Sequence, residues 1–302
     1  MFRKSLGICM SLAFAVSLAA AVVDTASQSK LTASAIVDKN VAARGGLQAW
    51  RTVQTLSLAG KMGAGGNQRS TLQVPVPGPR SSAQTLSTRP AEEVQLPFVM
   101  ELKRPRKMRF ELQFSGQTAI QVFDGANGWK LRPYLNRRVV EPYTTEELKA
   151  ASTQAEIDGF LVDYAAKGTK IELVGTEKVE DRNTYKVKLT MKDGNSRNVW
   201  IDAQTFLETK IEGQPRRLDG TYHPVEVYYR DYRPVDGLVI PFVLETKVLP
   251  VAKTAAGLRD TPVPVERITM EKVVVNPKFD EPLFTKPQVE AATIKPTPAK
   301  TK

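Results

Sequence analysis

One cysteine and one histidine are all that the 302 residues contain of the two side chains that most often carry nucleophilic, acid–base or metal chemistry. The cysteine, Cys9, lies in the apolar leader, so the chain that follows it offers no disulfide, no thiolate nucleophile and no thiolate metal site. The histidine, His223, stands beside Pro224 with no Ser, Cys or metal-spaced partner in the sequence and reads as structural. There is no HExxH, no P-loop, no G-x-S-x-G and no dinucleotide glycine fingerprint. Metal ligands at a usable spacing are missing, so neither a metal nor another cofactor is expected. A pair of carboxylates distant in sequence could still meet as a hydrolase does it, but nothing singles out a pair. The expectation is a protein that is not an enzyme. The formal charge is +11, yet the positive residues are scattered and no Lys/Arg block interleaves with aromatics. Nucleic acid is therefore not an expected partner.

What the sequence does have begins with a leader. Arg3 and Lys4 precede an apolar run from Leu6 to Val23, and Ala19-Ala20-Ala21 suits a small-x-small cleavage site. Residues 1–21 read as a secretory signal peptide, against the alternative of a retained anchor, and no transmembrane span is expected after its removal.

The chain is then organised around Phe98–Tyr134. Met108, Phe110, Leu112 and Phe114 alternate with Lys107, Arg109, Glu111 and Gln113, which puts four large apolar groups on one face of a strand. Phe98, Met100 and Leu102 do the same one strand earlier, and Arg104-Pro105-Arg106 interrupts the two. Asp124-Gly125 and Asn127-Gly128 supply hairpin residues before Trp129, Leu131 and Tyr134. Hairpin neighbours are expected to bring Met100, Leu102, Met108, Phe110, Leu112, Phe114, Val122, Trp129 and Leu131 to one inner face. Phe160 and Leu161 are expected to cover it from a helix.

Around this centre, Leu31–Arg44 has helical spacing stopped by Gly45-Gly46, and Leu47 to Trp50 starts a second short helix. Val53–Met62 is a strand. Gly63–Pro97, rich in Pro, Gly, Ser and Gln, is expected to be a mobile insertion in which Thr71–Val76 could add a strand. Thr144 and Glu147 fit a capping box, and Asp158-Gly159 is expected to open a further helix carrying Phe160, Leu161 and Tyr164. Glu146, Glu156, Asp158 and Asp163 read as helix caps and solvated charges. A meander follows through Lys170–Val179, Thr184–Lys192, Arg197–Asp202 and Phe206–Glu212, then a hairpin around Asp236-Gly237 and a last strand at Val263–Val275. Gln288–Lys302 is a polar Pro/Thr/Lys tail, expected to be disordered. No internal repeat is evident.

The runs LKRPRKMRFELQ and FDGANGWKLRPY, the closing EKVVVNPKFDEPLF and the Gly-Gly-x-x-Ala-Trp of residues 45–50 resemble the periplasmic lipoprotein carriers of the LolA/LolB type, in particular a longer branch of LolA-like outer-membrane lipoprotein-sorting proteins. The resemblance is clearest over Glu101–Tyr134 and Ile268–Phe284, within a single domain spanning residues 30–287. It implies a mainly β fold, a half-open antiparallel β-barrel with short covering α-helices. It also implies a periplasmic protein holding lipid, or the acyl chains of lipoproteins, in an apolar cavity, with envelope membrane proteins as further partners. A LolA-like sensor or interaction module without transport is the alternative. Whether the inner face is an open cavity or a closed core stays open at this point.

Overall fold

The computed structural model describes residues 31–65, 93–133, 137–218, 221–251 and 263–288. The leader at 1–21, the stretch 66–92 that includes Thr71–Val76, Tyr134 and the tail from residue 289 lie outside the described residues. No helix among those described is long and apolar enough to cross a membrane.

The domain is one antiparallel sheet with a few short helices. Helix α1 (Ala33–Ala43) is capped by Thr32, whose Oγ1 accepts from the Ala35 amide, and it ends where Gly46 N–H donates to Val41 O at 2.8 Å. The turn α2 (Leu47–Thr52) then leads into β1 (Thr55–Gly65). Strands β2 (Glu93–Lys103), β3 (Lys107–Phe114), β4 (Gln117–Phe123), β5 (Gly128–Arg132) and β6 (Arg137–Pro142) follow as successive hairpins. Helix α3 (Thr145–Gln154) carries the reciprocal capping box between Thr144 and Glu147. Then come β7 (Lys170–Val179), β8 (Arg182–Thr190), β9 (Ser196–Asp202) and β10 (Glu208–Glu212). A small hairpin of β11 (Arg216–Leu218) and β12 (Thr221–His223) precedes β13 (Val225–Val235), β14 (Leu238–Val248) and β15 (Glu266–Val275). The thirteen-stranded sheet runs β6-β5-β4-β3-β2-β1-β15-β14-β13-β10-β9-β8-β7. Its two edges, β6 and β7, do not pair, so the antiparallel barrel is half-open. The N-terminal and C-terminal strands β1 and β15 meet in the middle, which closes the order of the whole domain.

Two expected boundaries shift. Gly63–Gly65 and Glu93–Pro97 are strand rather than insertion, paired from Lys61↔Pro97 to Gly65↔Glu93. Pro97 is tolerated because β3 pairs with β2 only as far as Phe98↔Leu112, leaving one side of β2 an edge there. The segment 156–168 is a run of turns, not a helix: Gly159 and Asp163 take positive φ of 75° and 52°, which an α-helix cannot absorb.

Gly60 marks a close approach. The β1–β15 register shifts at Ala59/Gly60, and a Cβ on Gly60 would overlap the Thr269 carbonyl oxygen of the neighbouring backbone. Gly60→Ala is expected to lower stability by about 1–3 kcal/mol, the range of overpacking. An unchanged melting temperature would show that the two central strands are not held this tightly.

Candidate functional site

Pairing partners in an antiparallel sheet share a face, so the register traces two faces strand by strand. Phe98, Met100 and Leu102 lie opposite Leu112, Phe110 and Met108. Across β1 and β15 the same face continues through Met62↔Ile268 and Gly60↔Met270, and then through Ile268↔Leu244 and Leu244↔Tyr229. It runs on through Val227↔Ile211, Ile211↔Val199 and Leu189↔Arg197. Helix α3, the Tyr143 ring and Phe160 of the 156–168 turns lie on this side. Glu147 of α3 takes the Nζ of Lys130, which pairs with Gln121 on the same face as Phe110, and the Tyr143 ring sits over Gly128 where any side chain would collide with it. Phe160 stacks on the Arg197 guanidinium, 4.3 Å from ring centre to carbon. This is the inner face.

The opposite, outer face is charged. Arg230 spans Glu245 and Glu180, Lys210 bonds Glu226, and Lys186 and Lys210 lie 4.9 and 4.1 Å from the Trp200 ring. On the first half of the sheet the outer face is covered instead by the closing segment. The 3₁₀ turn Glu281–Phe284 packs on β3, Arg109 donates to Leu283 O at 3.2 Å, and Lys103 and Lys107 both hold Glu281, which lowers its pKa to about 2.

The expected site residues divide accordingly. Met100, Leu102, Met108, Phe110, Leu112 and Phe114 do share the inner face, with Leu102 and Met108 fully packed and Phe114 at the rim, 42% exposed. Val122, Trp129 and Leu131 do not: Val122 opposes Arg109 and Trp129, and Leu131 opposes Ile120, all on the outer face. Leu161 is buried, while Phe160 meets β9 rather than β3.

Phe98, Phe242 and Met270 form the packed centre of the inner face, with the Phe98 and Phe110 rings stacked at 5.9 Å. Met62, Met100, Phe110, Leu112, Leu244 and Ile268 pack against that centre yet stay only partly buried. Tyr229 is also half-buried, and burial, with Glu208 nearby, pushes its phenol up to about 12.

A second feature went unseen in the sequence. Asp158, expected as a cap, is 3% exposed and takes Arg104 at 2.8 Å and Lys167 as well. Arg104, from the Arg-Pro motif between β2 and β3, also donates to Val53 O and Trp50 O, and Arg106 and Lys167 both reach Glu156. Arg44 joins from the end of α1, bonding Asp158 O and Glu208. This charged cluster ties both N-terminal helices and the 156–168 turns to the end of the barrel. Its charges are paired with one another, which is the arrangement of a fastening.

His223 Nδ1 lies 3.1 Å from Leu249 O in a buried position. His223→Ala is expected to lower stability by about 1 kcal/mol, the worth of one hydrogen bond, and to leave the biological activity intact. A large loss of biological activity at an unchanged melting temperature would instead revive an acid–base role.

No protein-family model matches the chain, and no curated protein does. Among solved structures, a LolA superfamily protein from Nitrosomonas europaea superposes with a TM-score of 0.50 at 13% identity, covering 85% of this chain and 98% of that one. A putative outer membrane lipoprotein-sorting protein domain from Vibrio parahaemolyticus gives a TM-score of 0.49 at 11% identity, over 84% and 96% of the two chains. A DUF1329 family protein from Desulfovibrio piger gives 0.48 at 11%, over 84% and 97%. At such identities the likeness is one of fold: the half-open barrel is LolA-like.

Proposed function

We propose that this LolA-like barrel is a periplasmic carrier that holds lipid, or the acyl chains of a lipoprotein, against its inner face without chemical turnover. One observation carries the reading. Six large Met, Phe, Leu and Ile side chains on the inner face remain partly open although they pack on the buried Phe98, Phe242 and Met270. A closed core would bury them; a face waiting for an apolar occupant leaves them so. Each methylene of an acyl chain laid there is worth about 0.8 kcal/mol, so a chain of ordinary length is held without a polar contact. Met62, Met100 and Met270 suit a wall that must adapt to chains of differing shape. The expected leader fits the periplasm as the place of work.

The test is extraction. Protein purified from a bacterial periplasm is expected to release acyl species in near-stoichiometric amount by mass spectrometry, and the stripped protein to bind a fluorescent acyl probe. A protein that yields no lipid and fails to bind the probe while folded is not a carrier.

A further inference from the structure

Among the described residues, the Arg197 charge on the inner face has no counter-charge. Arg197, on β9, opposes Leu189 and follows the same face as the fully packed Val199. Among the described residues it makes no hydrogen bond and no ion pair. Its Nε–H is shielded from water and without a partner. The carboxylates nearest in the field are engaged elsewhere, Glu212 with the Asn198 amide and side chain and Asp193 with Asn195. Burial, the largest influence, holds the arginine below its usual pKa, yet a guanidinium stays protonated. What it does have is the Phe160 ring, whose centre lies 4.3 Å from the guanidinium carbon and which packs against one side of it. The Tyr229 hydroxyl, near enough for the two to influence each other, likewise makes no hydrogen bond among the described residues.

A half-buried cation whose Nε–H is shielded from water and unpartnered carries a cost, which a ligand that answers the charge would offset. Among the described residues, other cations on this side have counter-charges: Lys130 has Glu147, Arg44 has Glu208 and Arg233 has Asp231.

We infer that Arg197, oriented by Phe160 and assisted by Tyr229, binds the anionic oxygen of an acyl ligand, a carboxylate or phosphate head group, at the β9 side of the inner face. This rests on the acyl-carrier reading and adds to it the charge of the ligand and the end at which the head group sits. The chains then extend toward Phe110 and Leu112, where the face is apolar, and the guanidinium fork matches either anion by two parallel bonds.

The experiment compares pyrene-labelled decanoate with pyrene-labelled decanol, which differ only in the head group, on the lipid-stripped protein and on Arg197→Met. The wild type is expected to favour decanoate by about tenfold or more, as a charge-assisted contact does. Arg197→Met should lose that preference while decanol affinity holds, and should melt at the same temperature or higher, because an unanswered charge is gone. A preference that survives in Arg197→Met, or equal binding of both probes to the wild type, overturns the assignment and leaves the carrier reading standing. A fall in melting temperature with the preference intact makes Arg197 a structural residue. Failure of both probes to bind the folded wild type overturns the carrier reading and this inference together. Inorganic phosphate or acetate displacing decanoate at a concentration matching that of the probe assigns the site to a free anion and overturns the lipid source.

Discussion

Asp158→Ala is expected to cost about 3–5 kcal/mol of folding stability, the loss seen when one member of a buried ion cluster is removed. The size follows from what is left behind. Without the carboxylate, Arg104 and Lys167 face each other at the end of the barrel, with Glu156, backbone carbonyls and the more distant Asp163, already paired with Arg51, left to balance them. Asp158→Asn, which keeps the volume and one acceptor, should cost less than alanine but still most of this. Acid weakens the same cluster. Burial by itself would raise the Asp158 pKa, but hydrogen bonds from Lys167 and Arg104 outweigh it and hold the carboxyl below its ordinary value. A depressed folded-state pKa contributes stability that is complete above the unfolded value, near pH 4, and is lost as pH falls through the folded value. Urea midpoints of wild type and Asp158→Ala should therefore differ fully at pH 7 and converge below about pH 4. A difference under about 1 kcal/mol at pH 7 would put the cluster with ordinary surface pairs.

The same residue illustrates what the sequence could carry. Local rules were legible: the period-two alternation of β3, the capping box at Thr144 and Glu147, the Gly-Gly stop after α1 and the Asp-Gly hairpins all appear where chemistry places them. Asp158 beside Gly159 looked like a cap because the local pattern is that of a cap. Its partners, Arg104 and Lys167, arrive from a distant turn and from the far side of its own segment, and only tertiary packing brings them. Val122, Trp129 and Leu131 failed for a related reason. Alternation says which residues of one strand share a face but not which face the next strand turns to that side, and that is set by register. Here the outer face of β4 and β5, which is apolar, continues from that of β3, on which the chain's own 281–284 turn packs, a contact no local window contains. Arg197 was invisible for the converse reason. A lone arginine in a strand reads as surface, and only the chain of pairings from Leu189 to Ile211 reveals that it points inward.

Phe110→Glu is expected to abolish acyl-probe binding while the protein stays folded, losing about 1–3 kcal/mol. Phe98→Glu, one strand away on the same face, is expected to unfold it. The two side chains stack at 5.9 Å, so the contrast is a severe one. It turns on water. Phe98 is 5% exposed, at the packed centre with Phe242 and Met270, and a carboxylate there is stripped of solvent, while Arg233, which lies over the Phe242 ring, is already paired with Asp231. Phe110 stands partly open on the wall, where a carboxylate of similar reach stays hydrated when the barrel is empty. Its penalty falls instead on the bound state, since an acyl chain laid over it would have to dehydrate an unpaired charge. Melting temperature and acyl-probe titration on both variants separate the possibilities. Unfolding of both would make the inner face a closed core. Retained probe affinity in a folded Phe110→Glu would remove Phe110 from the wall, and with it the path by which chains reach from the open side of the barrel toward β9.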